Sequence, residues 1–148
     1  MSLGELYREV IMDHSHHPRN RRRIEDADVT IGLDNPTCGD EIVLDLMIED
    51  GVIRDVAYEG EGCTISMAAA SMMTEAIRGL TLGEARTLVE RYKGMLMGNY
   101  EGTDNLGELA FLKGVTQFPM RVKCAALAFT ALEKGIHEIE GELDHGQA

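Results

Sequence analysis

The strongest constraint in this chain is an alternating run that turns back on itself. Ile42, Leu44, Leu46 and Ile48 fall on every second position, with Asp45 and Glu49 on the opposite face, the period of a strand buried on one side. Asp50-Gly51 follows, a dipeptide suited to the left-handed backbone of a two-residue hairpin turn, and Val52, Val56 and Tyr58 mark one face of a return strand. An antiparallel hairpin sets the start of its first strand beside the end of its second. Cys38 and Asp40 enter this hairpin and Gly60-Glu61-Gly62-Cys63 leaves it. The pairing alone therefore brings Cys38 near Cys63.

The remaining chain reads mostly as helix. Leu3, Leu6, Tyr7, Val10 and Ile11 keep helical spacing, so an amphipathic helix is expected from Leu3 to about His14, closed by Pro18. Val29 to Leu33 reads as a short strand. Thr64 to Arg78, rich in Ala and Met, reads as a buried helix ended by Gly79, with Thr64 or Ser66 as its cap. Cys63 then stands at the helix N-terminus, where the helix dipole favours a thiolate. Thr81 with Glu84 forms a capping box for a helix reaching about Met97. Gly98 to Asn105 is a loop, Leu106 to Val115 a short helix, and Pro119 opens a last helix to Gly135. Val122, Leu127, Ala128, Ala131 and Leu132 form its core side, Cys124 lies within its first two turns, and the polar tail from Glu138 is expected to fray. At 148 residues the expectation is a single domain.

Charge and cysteine usage narrow the function classes. A net charge of −12 disfavours nucleic acid, which demands a cationic face. The Arg19-Asn20-Arg21-Arg22-Arg23 run reads as a solvated loop before it reads as a docking patch for an acidic partner. No apolar run approaches the roughly 20 residues of a membrane span, and the first residues carry no secretory pattern, so a cytoplasmic protein is expected. There, three cysteines disfavour a disulfide framework. The His14, His16, His17 cluster reads as a polar helix end, since no acid or Cys stands at metal-like local spacing.

Cys38, Asp40, Cys63 and Cys124 make a ligand set that suits zinc. Cys38 and Asp40, two apart, share a side of an extended segment, and Gly39 between them leaves room for close backbone approach. Arg121 and Lys123 would offset the excess negative charge of three thiolates and a carboxylate. The ligands are scattered, however, and without a C-x-x-C pair a dithiol oxidoreductase fits poorly. No histidine plainly converges on a cysteine for nucleophilic hydrolysis. A mixed ligand set suits a labile iron–sulfur cluster better than a permanent one. Cys124, on an Ala-rich helix, reads equally well as a small buried hydrophobe. Residues alone leave a metal or sulfur site standing beside plain core packing.

Five segments in order settle on a family. They are Val10-Ile11-Met12-Asp13-His14 with Pro18-Arg19-Asn20, Asn35-Pro36-Thr37-Cys38-Gly39-Asp40, Gly60 through Ser66, Leu106-Gly107-Glu108, and Phe118-Pro119 through Arg121-Val122-Lys123-Cys124-Ala125. Together they resemble the U-type iron–sulfur cluster assembly proteins, the family of IscU and of the N-terminal domain of NifU, over nearly the whole chain. Lys123 stands where IscU-like members carry His, and Gly98 to Asn105 with its flanks fits the extra residues of the SufU branch. Both features make the resemblance SufU-like. Phe129 stands where many relatives have Trp, a change expected to concern packing.

The resemblance implies an α+β fold, a small antiparallel sheet with helices packed on one face. It implies zinc held by Cys38, Asp40, Cys63 and Cys124, and sulfur accepted as persulfide from a PLP-dependent cysteine desulfurase of the SufS type, which the protein stimulates. By the same likeness Cys38 is the sulfur acceptor, a desulfurase histidine displaces one thiolate, and Arg121 and Lys123 steer the partner or tune the site. Such a protein is a sulfurtransferase-like accessory without turnover of its own, passing sulfur to downstream iron–sulfur assembly proteins. Two alternatives stand beside it: a scaffold on which a transient iron–sulfur cluster is built and transferred, and a zinc-stabilised interaction module without sulfur transfer.

Overall fold

The hairpin closes through Asp50 and Gly51, both left-handed at φ 54° and 74°, the backbone that a two-residue turn between twisted strands needs. The computed structural model describes residues 3–36, 39–100 and 103–146. Helix α1 (Leu3–His16) leads into strands β1 (Val29–Asn35), β2 (Asp40–Glu49) and β3 (Val52–Glu61). Helices α2 (Thr64–Ile77) and α3 (Leu82–Leu96), a 3-10 segment (Thr103–Gln117) and helix α4 (Pro119–Gly146) complete the order. The sheet is antiparallel in the order β1-β2-β3, with Asn35 opposite Asp40 and Glu49 opposite Val52. This is an α+β fold.

Helices α2 and α4 cover one face of the sheet, where Ile42, Leu44 and Leu46 are buried. Ala68, Ala69 and Ala70 let α2 pack closely, and α3 leans on α4 through Tyr92 stacked on Phe129, ring centres 3.7 Å apart. Phe129 thus fills a packing role. Among the described residues no helix is long and apolar enough to cross a membrane.

Three strand expectations change. The register steps between Met47 and Ile48, leaving Arg54 without a partner in β2. The bulge flips the parity of β3, so Ile53 is buried with Val56 and Tyr58, and Val52 is only half-buried. Asp45, on the supposed solvent side, is fully buried. The segment after α1 crosses that face and caps the carboxylate: Arg23 Nε donates to Oδ2 at 2.7 Å and Thr30 Oγ1 to Oδ1 at 2.6 Å. The arginine run is a solvated loop, with Arg21, Arg22 and Arg23 exposed, but its charges are paired and do not form a free patch. Arg19, Arg21, Arg22 and Arg23 pair with Asp13, Glu59, Asp55 and Asp45.

The helical half holds further corrections. Gly135 does not stop α4. A Cβ there would lie 3.1 Å from Leu46 Cδ1, so the glycine marks where the helix touches the sheet, and α4 runs on with Ile136 and Ile139 buried. The short helix expected from Leu106 is part of a longer 3-10 segment that begins at Thr103, inside the expected loop, and breaks at Gly107, φ 59°. His14 is buried rather than part of a polar end: its ring bonds Ser71 Oγ through Nδ1 at 2.7 Å and Glu108 Oε1 through Nε2 at 2.6 Å. Ser71 Oγ also accepts from the Arg19 N–H at 2.8 Å. One imidazole thereby joins α1, α2 and the 3-10 segment.

Candidate metal centre

Asp40 begins β2, Cys63 sits at the junction of β3 and α2, and Cys124 lies in the second turn of α4. Hairpin register brings the first two together, since Glu41 pairs with Glu61. Packing of α4 against α2 brings the third. One ligand atom from each of Asp40, Cys63 and Cys124 falls within 4.8 Å of the others. Cys38 lies outside the described residues.

Each side chain is held by its element. Asp40 is fully buried, and its Oδ1 accepts the Cys63 N–H at 2.9 Å. Its Oδ2 is buried with no hydrogen-bond partner among the described residues. A buried carboxylate oxygen left without a donor is costly, and a cation at the thiols would supply what it lacks. Cys63 itself caps α2, displacing the expected Thr64 or Ser66: its Sγ accepts the Ser66 N–H at 3.4 Å. Gly62 makes the approach possible, because a Cβ there would stand 2.5 Å from Asp40 Oδ1 and 2.6 Å from Ser66 Oγ. Gly39 has a different reason from the one expected. Nothing crowds it, but its φ of 72° requires a residue tolerant of the left-handed region.

Burial pushes the Cys63 thiol up, as does the Asp40 carboxylate, yet hydrogen bonds from Ser66 and Cys124 outweigh both and leave it below the ordinary thiol value. Arg121, one turn before Cys124, meets the same two sulfurs. The charge of Cys63 first, then hydrogen bonding to Cys124, raises its already high pKa. Lys123 is exposed. Cys124 is buried, as a core cysteine would be, but it faces the other two donors rather than an apolar wall alone.

Among the described residues, two thiols and a carboxylate form a donor set that fits zinc or another thiophilic cation and stands one ligand short of a tetrahedron. Sequence reasoning missed Ser66 and Gly62 as supports. The Cys63-x-x-Ser66 spacing was the available signal, since an N-cap side chain serves the N–H three residues on.

Fold and site together define a small α+β protein with a cysteine and carboxylate centre where sheet and helices meet. The NifU-like N-terminal domain family matches residues 6–140, and the chain belongs to that family. It is 44% identical to the zinc-dependent sulfurtransferase SufU of Bacillus subtilis over 141 residues, covering 95% of each chain. It is 40% identical to the iron–sulfur cluster assembly scaffold protein IscU of Streptococcus pyogenes, over 90% of this chain and 84% of that one. The crystal structure of a Fervidobacterium islandicum protein assigned as an iron–sulfur cluster assembly scaffold for the SUF system superposes with a TM-score of 0.85 at 35% identity, over 89% of this chain and 97% of that one.

Proposed function

We propose that this protein is a zinc-dependent sulfur acceptor in iron–sulfur cluster assembly, taking persulfide sulfur from a cysteine desulfurase of the SufS type and stimulating it. The observation that carries the reading is the gathering of Asp40, Cys63 and Cys124, with an Asp40 Oδ2 that has no hydrogen-bond partner among the described residues. Cys38, two residues before Asp40, completes a tetrahedral set. Bound zinc supplies two things: thiols kept deprotonated at neutral pH, and easy ligand exchange.

The chain's own residues do the rest. Ser66 and the α2 N-terminus favour negative charge on Cys63. Asp40 is anchored by the Cys63 N–H, so its second oxygen is fixed in direction. Arg121 brings a permanent positive charge to the thiols and to any anionic sulfur arriving there. Cys38 is the acceptor in this reading. Its thiolate attacks the outer sulfur of the donor persulfide, a new S–S bond forms, the donor's S–S bond breaks, and the donor cysteine leaves as a thiolate. The partner is then ready for another turnover, and the sulfur passes to downstream assembly proteins.

A scaffold role is the second reading, favoured by the likeness to the streptococcal IscU. Lys123 beside Cys124 supports the acceptor reading over it, since the residue adds a charge and no soft ligand. Metal content after purification without added metal, together with desulfurase turnover, separates them. The acceptor reading expects about one zinc per chain and a rise in turnover that Cys38→Ala abolishes. Iron with acid-labile sulfide and no stimulation would replace it with the scaffold.

A further inference from the structure

We propose that the groove between α1 and the 3-10 segment receives an apolar, carboxylate-bearing segment of the sulfur-donor protein. The inference rests on the acceptor reading and names the surface that the donor uses. The groove encloses about 690 Å³. Its floor is the ring of Tyr7 laid against the backbone of Gly114, so close that a Cβ on the glycine would stand 2.9 Å from Tyr7 Cγ. Phe111 and Phe118 line its sides, and Phe118 remains 52% exposed. Aromatic surface left in water at a concave site marks a place where a partner buries side chains.

Charge selects the occupant. The whole chain carries −12, yet the described residues lining this groove include Arg8 and Lys113 and no carboxylate. Both cations are exposed, and neither forms an ion pair among the described residues. Lys113 Nζ rests 4.2 Å from the centre of the Tyr100 ring, held at the rim by the aromatic face. Two cations at the edge of an aromatic floor, Lys113 held against Tyr100 and Arg8 exposed, are complementary to a segment that pairs an apolar side chain with an acid.

Position ties the groove to the thiols. Phe118 directly precedes α4, whose first turn carries Arg121. Tyr7 lies within electrostatic reach of both Cys63 and Arg121. Apolar surface continues past the groove onto Met120, 80% exposed. A small amphipathic carboxylate would fill the groove and leave Met120 in water, whereas a protein that presents its persulfide to the cysteines passes over both.

The test is a titration of desulfurase activity with the full chain, using the cysteine desulfurase of the same organism. Arg8→Glu with Lys113→Glu is compared with Arg54→Glu with Lys134→Glu, exposed positions outside the groove that give the same change in net charge. The groove pair is expected to raise the half-saturating concentration about tenfold, with unchanged maximal stimulation and zinc content, and the control pair less than about twofold. Phe118→Ser, a neutral change at an exposed site, should shift it in the same direction, and circular dichroism checks that each variant is folded. If wild type stimulates and the groove variants titrate like the control, the groove assignment is overturned and the acceptor reading stands. If wild type neither binds nor stimulates the desulfurase, the acceptor reading falls and takes this inference with it.

Discussion

Asp45 survives full burial as a charge because three donors converge on it. Arg23 and the Ile24 N–H reach Oδ2 at 2.7 and 2.9 Å, and Thr30 reaches Oδ1 at 2.6 Å. Burial pushes this carboxyl up, but the donors outweigh it and hold it below the ordinary carboxylate range. A folded-state pKa below the unfolded one contributes stability above the unfolded pKa, and that stability is lost as pH falls through the folded value. Asp45→Asn should therefore cost about 1–3 kcal/mol at neutral pH, with the gap to wild type closing in acid. Urea unfolding at both ends of that range checks it, and an equal cost at each end would refute the ionic account. Gly62 gives a second residue-scale prediction. A methyl group there meets Asp40 Oδ1 and Ser66 Oγ well inside contact distance, so Gly62→Ala should weaken zinc affinity by about 10–100-fold. Gly32→Ala, with nothing within 4 Å, should leave affinity alone. Competition against a chromophoric chelator reads both.

Helix α3 begins with a reciprocal cap: Glu84 N–H donates to Thr81 Oγ1 at 3.1 Å, and Thr81 N–H to Glu84 Oε1 at 2.9 Å. Thr81→Ala should cost about 1 kcal/mol in thermal unfolding and leave metal content unchanged, because α3 contributes no ligand. That cap was legible in the sequence for the reason the hairpin was. Both are decided by residues within four positions of one another, so local chemistry suffices. The approach of Cys63 to the start of β2 followed from the same hairpin. What stayed hidden depends on distant partners. Nothing near Asp45 announces Arg23, and nothing near His14 announces Ser71 and Glu108, whose side chains come from two other elements. The length of α4 was misread because Gly135 looked like a stop, when its missing side chain serves Leu46 across the core. The bulge at Arg54 defeated a strict two-residue period. Cys124 was a different case: spacing left it ambiguous, and only the ordered set of motifs tied it to the other ligands.

At the scale of the molecule, the three gathered donors come from the start of a strand, a helix cap and a helix some sixty residues further on, Asp40, Cys63 and Cys124. A cation held by all of them closes long loops of chain and binds only the folded arrangement with full strength, so occupancy adds directly to stability. Without it the fold retains a buried carboxylate oxygen with no partner among the described residues, on a chain that already repels itself at −12. Removal of zinc by a chelator should accordingly lower the melting temperature, and zinc at about a hundred times its dissociation constant should restore roughly 2.7 kcal/mol. Cys124→Ala should melt near the chelated wild type and fail to respond to added zinc. The sulfur it removes faces the site from a buried position, so a small packing loss is expected alongside the lost ligand. Magnesium, a hard cation that prefers oxygen ligands, should not substitute. Differential scanning calorimetry with each cation decides the matter: a wild-type melting point indifferent to zinc would mean that these side chains meet for packing alone.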